Sequence, residues 1–323
     1  MKKLLAILML ALLAVVAAVA QDLEDEEPPT GPLRTLRYQP KVGMSWLLHS
    51  ITLSDQKIRV QPSTRWEVAK VEDERWERWD VIEVNDAGEF TVRATLSRFR
   101  SKIWDGEELS EEVGTGLDGA TTTSKDFAKA ASGQTYTFRA KPTGEAIAVD
   151  GLEKIVADIK TKSADAFDDP IEKTFFDERL RNLYGKDHVL DTLSYRLKRF
   201  PTEQVQAEKR WTQTHKQGLV IGSLTTSERI RLAAKDAADG SPRLLSEGWF
   251  TFVNNGREEV AIDIPFAKIS GEDILDPASF FPKVRNTTYE VEVGVFHERN
   301  GVRTRIAELG FKDVEKIEFL AIK

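Results

Sequence analysis

Between Gly151 and Trp211 the apolar period of the chain changes. On either side apolar residues recur at every second position, as on one face of a strand. Inside it Leu152, Ile155, Val156 and Ile159 fall on one helical face. Asp169 caps a second predicted helix with Pro170 at its first position, and Ile171, Phe175, Leu180 and Leu183 form its apolar stripe before Gly185 stops it. A third helix is expected over Val189–Arg199, ended by Pro201. Such faces must be buried, so this stretch is expected to pack on a sheet and not to serve as a linker.

The flanking segments set the sheet. Leu33–Tyr38 and Ser45–Val60 read as strands separated by the turn Pro40-Lys41-Val42-Gly43. Within Thr64–Phe99, Phe90, Val92, Ala94 and Leu96 alternate with polar residues, and Asn85-Asp86-Ala87-Gly88 joins them to Trp79–Val84 as a hairpin. After a polar, glycine-rich run from Asp105 to Ser132, a second hairpin covers Gln134–Val149 around Lys141-Pro142-Thr143-Gly144. Beyond the helices, strands are expected at Arg210–His215, Leu219–Leu232, Leu244–Val253, Tyr289–Val295 and Lys316–Ile322, with hairpin turns at Asn255-Gly256 and Asn300-Gly301. The expected fold class is α+β: antiparallel and β-rich, two strand-rich halves with a helical segment between them. A curved sheet wrapped over the helices would enclose a concave apolar cavity. Trp46 and Trp211 each open one half, a hint of internal duplication.

The N-terminus supplies an address. Lys2 and Lys3 precede an apolar run from Leu4 to Val16, and Ala18-Val19-Ala20 is the small-x-small pattern of signal peptidase cleavage. Residues 1–20 are thus expected to be a signal peptide and 21–32, QDLEDEEPPTGP, a flexible tether. A β-rich half at 33–150, a helical segment at 151–200 and a second β-rich half at 201–323 complete the expected organisation. The chain contains no cysteine. A bacterial lipoprotein is excluded for want of a thiol to acylate, and stability must come from a core instead of disulfides. Removing Lys2 and Lys3 takes the formal charge from −7 to −9, a poor match for nucleic acid or anionic headgroups. The expected location is the periplasm or the exterior, with no membrane span after cleavage.

Three features together carry a family resemblance. They are Tyr38-x-Pro40-x-x-Gly43, the hairpin YTFRAKPTGEAIAVDGLEKI from Tyr136, and Phe200-Pro201 followed by Val205 and Trp211. In this the chain resembles a family of exported bacterial proteins catalogued as a domain of unknown function. Where that family reads Gly-Asp-x-Trp, this chain has Glu208-Lys209-Arg210-Trp211. The resemblance implies fold and address and carries no catalytic residue.

Gly114-x-Gly116-x-x-Gly119 matches a dinucleotide fingerprint in spelling, but acidic Glu107–Glu112 stands where a buried strand is required. His49, His188, His215 and His297 show no ligand spacing, Gly222-Ser223 lacks a nucleophile elbow, and Asp236-x-x-Asp239-Gly240 places Ala238 at a calcium-ligand position. Asp165, Asp168, Asp169, Asp177 and Glu178 are interspersed with basic residues, as on a solvated helix face. Arg65-Trp66, Arg75-Trp76 and Arg78-Trp79 could form a platform for a sugar or an apolar ligand, or lie on the sheet under arginine stems. No catalytic, metal or cofactor residue is assigned, and no ligand residue can be named. The expected function is a non-catalytic exported protein that binds or carries an apolar ligand such as a lipid. The alternative is a structural or protein-interaction component of the envelope, with a hydrolase less supported.

Overall fold

The computed structural model describes residues 30–114, 132–162, 177, 180, 184–219, 222–254, 260–299 and 302–322. The first strands are β1 (Thr30–Arg34), β2 (Ser45–Val60), β3 (Glu67–Val84), β4 (Phe90–Asp105), β5 (Glu108–Gly114), β6 (Thr135–Ala140) and β7 (Ala146–Asp150). Helices α1 (Leu152–Lys162) and α2 (Lys186–Leu197) follow. The remaining strands are β8 (Val205–Ala207), β9 (Arg210–Leu219), β10 (Gly222–Leu232), β11 (Arg243–Asn254), β12 (Val260–Leu275), β13 (Pro282–Arg299) and β14 (Val302–Ala321).

Twelve strands form one antiparallel sheet in the order β7-β6-β4-β3-β2-β14-β13-β12-β11-β10-β9, with β5 added beside β4. The two strand-rich halves are therefore continuous. Strand β14 pairs with β2 from Ala307↔Val60 to Ala321↔Trp46, so the last strand of the chain closes onto one of the first. Helix α2 contacts both β7 and β9, which are the two ends of the sheet. The sheet curls until its edges meet on this helix. Twist supplies the curl, and the helix covers edges that would otherwise offer unpaired backbone.

Several expectations change. The protein is predominantly β, and helix among the described residues is confined to α1, α2 and positions 177, 180 and 184. Strand β1 begins at Thr30, inside the segment expected to be tether, because it pairs with β8 in a separate two-stranded sheet. Strand β12 was not anticipated, since Pro265 and Gly271 interrupt its pattern. The turns at Asn255-Gly256 and Asn300-Gly301 and most of the helix expected from Asp169 lie outside the described residues.

The concave face carries two apolar clusters. The first gathers Trp46, Trp79, Phe90, Phe138, Phe200, Trp211 and Phe281 around Ile155 and Ile159 of α1 and Val189, Leu193 and Leu197 of α2. Each fully buried ring contributes about 1.5–3 kcal/mol. Here Trp46 stacks on Phe281 with centroids 4.4 Å apart. The second cluster is built from strands: Leu224, Phe250, Ile262, Ile264, Ile269, Val291, Val293, Val295 and Leu309. Alternation along β13 puts Arg285, Thr287, Tyr289, Val291 and Val293 on one face, so both clusters lie on the same side of the sheet.

The β6–β7 hairpin is fitted to the end of α2. Gly144 has φ +93°, and a Cβ there would collide with the Leu197 carbonyl, which already accepts the Tyr38 hydroxyl at 2.8 Å. Gly144→Ala is therefore expected to destabilise the protein by roughly 3 kcal/mol, combining a strained φ with a backbone clash. Urea denaturation of the variant should show a lower midpoint with an unchanged slope.

A candidate ligand cleft where the helix meets both sheet edges

Helix α2 has two working faces. Val189, Leu193 and Leu197 repeat every four residues and enter the core. Asp191, Ser194 and Tyr195 point instead toward β9 and β10, where they border a cleft of about 330 Å³. Its other walls are Gln213 and His215 on β9, Thr226 and Glu228 on β10, Glu145 and Ala146 at β7, and Lys198 beyond α2. By contrast, the space between α2 and the middle of the sheet, walled by Trp79, Arg196 and Phe319, holds only about 10 Å³. That is room for a single water. At that place side chains fill the space between α2 and the sheet, and the cleft lies at the closure of the curl with a mainly polar lining.

Under the cleft is a buried ionic cluster. Arg199 donates from Nη1 to Glu228 and from Nε to Asp273 at 3.1 Å. Arg285 donates to both oxygens of Asp273, at 2.7 and 2.9 Å, and to the Arg196 carbonyl at the end of α2 at 2.5 Å. All four charged side chains are buried. Burial opposes ionisation of Asp273, but Arg285 and Arg199 outweigh it and hold the carboxyl below its usual range. Gly248 lies opposite Glu228, and a Cβ there would come within 3.0 Å of the Glu228 Cγ. The absence of a side chain makes room for this layer.

The cleft itself is polar and incompletely paired. The Gln213 Nε2 is buried without a hydrogen-bond partner. Tyr195 and Tyr289 approach hydroxyl to hydroxyl at 3.3 Å, and burial, then the neighbouring Tyr289 and Glu228, pushes the Tyr195 phenol well up. His188 and His215 flank Asp191; burial lowers both imidazoles, against the pull of that carboxylate. No group of three or more His, Cys, Asp or Glu residues that could hold a metal occurs among the described residues.

The motifs singled out in the sequence fall elsewhere. Gly114 ends β5, while Gly116, Gly119, Asp165, Asp168, Asp169 and Glu178 lie outside the described residues. Asp177 pairs with Lys160 at 2.7 Å. Asp239 closes a turn, where hydrogen bonds from Lys283 and Ser241 bring its carboxyl down to about 2. Trp79 is core, whereas Trp66 and Trp76 sit half-buried on the convex face. Arg59 and Lys57 cover Trp66 at 4.7 and 5.3 Å, and Arg98 and the stacked His49 ring take Trp76 at 4.7 and 4.4 Å. Those faces are occupied by the protein's own Arg, Lys and His side chains, which weighs against a sugar platform. Glu228 was missed, although it and Thr226 interrupt the apolar face Leu224, Ile230, Leu232 of β10, and a carboxylate in that face is its sequence signal.

Removing the carboxylate at the centre of the cluster leaves two buried guanidiniums short of a counter-charge. Asp273→Asn is expected to cost roughly 3–5 kcal/mol at pH 7. Because the folded pKa lies below the unfolded one, this contribution is present above about pH 4 and is lost as the pH falls through the folded value. Urea midpoints of wild type and variant should therefore converge only in acid.

No curated protein matches the chain. Among solved structures, lipovitellin, described for its lipid–protein interactions, aligns at TM-score 0.47 and 9% identity over 86% of this chain and 25% of its own. The chain thus spans a quarter of that protein's length. DynF of the dynemicin biosynthesis pathway of Micromonospora chersina aligns at TM-score 0.24 and 7% identity over 95% of this chain and 97% of its own. An outer membrane channel of Pseudomonas putida F1 aligns at 0.25 and 7%, over 88% and 98%. Scores this low assign no function. No helix among the described residues is long and apolar enough to cross a membrane. Residues 87–234, which include the Tyr136 hairpin, Gly151, Phe200-Pro201 and Trp211 but not Tyr38–Gly43, match the model of a family of unknown function, DUF6263, in agreement with the resemblance read from those residues.

Proposed function

We propose that the protein is an exported, non-catalytic binder or carrier of an amphiphile, with the polar head held in the α2 cleft and the apolar part against the strand-built cluster. One observation carries this reading: the cleft of about 330 Å³ adjoins an apolar layer on the same sheet face. Thr226 in its wall is the cross-strand partner of Phe250, and Leu224 follows two positions along. A ligand lying here would pass from hydrogen-bonding groups to apolar ones within one strand. The free donor of Gln213 fits a head that brings its own acceptor. Glu228, the buried carboxylate of the wall, is committed to Arg199, which favours holding a ligand over moving a proton. Lys2, Lys3, the apolar run and Ala18-Val19-Ala20 support export, and the cysteine-free composition supports a protein without a lipid anchor.

Protein purified from its own producing organism should retain amphiphile detectable by native mass spectrometry. A clean apo mass together with no response to a fluorescent fatty-acid probe would overturn the proposal. Gln213→Leu separates function from fold. It removes a buried unpaired donor, so it is expected to stabilise the protein by about 1 kcal/mol while weakening retention of the native ligand roughly tenfold.

A further inference from the structure

Strand β12 lies inside the sheet and yet contains a proline, which cannot donate to a ladder. Its pairing with β11 runs from Arg243↔Ile274 to Gly248↔Ile269 and stops there, although β11 continues to Asn254 and β12 reaches back to Val260. Both strands remain held on their other sides. Trp249 to Val253 pair with Ser227 to Ser223 of β10, and Phe266 to Lys268 pair with Glu292 to Glu290 of β13. The register shift between Asp263 and Phe266 brackets Pro265. What results is a stretch without ladder hydrogen bonds between two adjacent strands, a slit in the bonding pattern of the sheet, bounded above by the last ladder pair. It is closed below by Asn254, whose Nδ2 donates to the Ile262 carbonyl at 3.0 Å and whose Oδ1 accepts the Ile262 N–H at 2.8 Å.

The slit joins two environments. Phe250, Ile264 and Ala267 of the strand-built cluster lie on its concave side. Phe266 and Val253 are 40% and 63% exposed in the strands that border it. We propose that this slit is the passage by which the apolar chain of an amphiphile reaches the concave layer. Parting β11 from β12 here breaks no ladder hydrogen bond, whereas parting strands elsewhere in the sheet breaks several. With both ends closed, the slit favours a chain moving through it over a peptide strand laid along it. It is also next to the cleft, because Phe250 on its border pairs with Thr226 in the cleft wall. This inference rests on the binder reading.

Because the chain has no native cysteine, the slit can be tethered without competing thiols. Thr251→Cys and Phe266→Cys, joined by a short bismaleimide, should slow stopped-flow uptake of cis-parinaric acid at least tenfold at an unchanged equilibrium signal. Each single variant, capped with a monofunctional maleimide, should load at the wild-type rate. Asn254→Ala, which releases the lower end, should speed uptake by about two- to tenfold, the range for the net loss of one hydrogen bond. Wild-type uptake rates in both the tethered protein and Asn254→Ala would overturn the passage while leaving the binder reading standing. Failure of the probe to bind the untethered wild-type protein would overturn both.

Discussion

A sheet this long has to do something with its ends, and here both are brought to one helix. α2 touches β7 at one end of the strand order and β9 at the other, so the curl of the sheet and the placement of the helix depend on each other. The contact is apolar on one side of the helix through Val189, Leu193 and Leu197. On the side toward β13 it is electrostatic, where Arg285 reaches the carbonyl of Arg196 and Arg199 links Glu228 of β10 to Asp273 of β12. Aromatic packing can tolerate small shifts, whereas buried charges cannot be left partnerless. The ionic cluster thus links β10, β12 and β13 to the end of α2 where the curl closes, beside the apolar contacts of the same helix.

The same closure produces the cleft. A helix seated between two edge strands cannot fill the corner where its polar face meets them. The residues left there are those that alternation points inward from β9 and β10 and that α2 turns away from the core. Deeper, where Trp79, Phe319 and Leu197 meet beneath α2, only room for a single water is left. The lining is polar because it lies at the boundary of the apolar core.

The convex face explains how so broad a sheet leaves one side uncovered. Trp66, Trp76, Trp104 and Trp249 each lie under at least one cation, and ion pairs such as Lys102 with Glu72 and Lys312 with Glu290 run between neighbouring strands. Individually such exposed pairs contribute little. Collectively they cover aromatic rings with charge and make association through that face costly.

By itself the sequence determined the local structure wherever a period ran long enough. The β3–β4 hairpin around Asn85–Gly88, the β6–β7 hairpin, α1 and most of α2 were legible from spacing and turn chemistry. The Tyr136 hairpin, Phe200-Pro201 and Trp211 carry a likeness to a family of unknown function whose model matches residues 87–234. Strand β12 was not legible, because Pro265 and Gly271 are unfavourable in a strand on any local scale; Pro265 sits at a register shift against β13, and Gly271 is held by pairing on both sides. The continuity of the sheet was not legible either. The pairing of β14 with β2 joins residues near opposite ends of the chain, and no local pattern encodes so distant a partner. The cleft depends on that same long-range closure: Tyr195, Gln213 and Glu228 are ordinary residues of three separate elements until tertiary structure brings them together. Sequence thus decided strand or helix where the side-chain period runs unbroken, because that period acts over a few residues. Tertiary structure alone decided that the strands form one curled sheet closed on α2, because burial of charges and apolar faces is satisfied only by the whole chain.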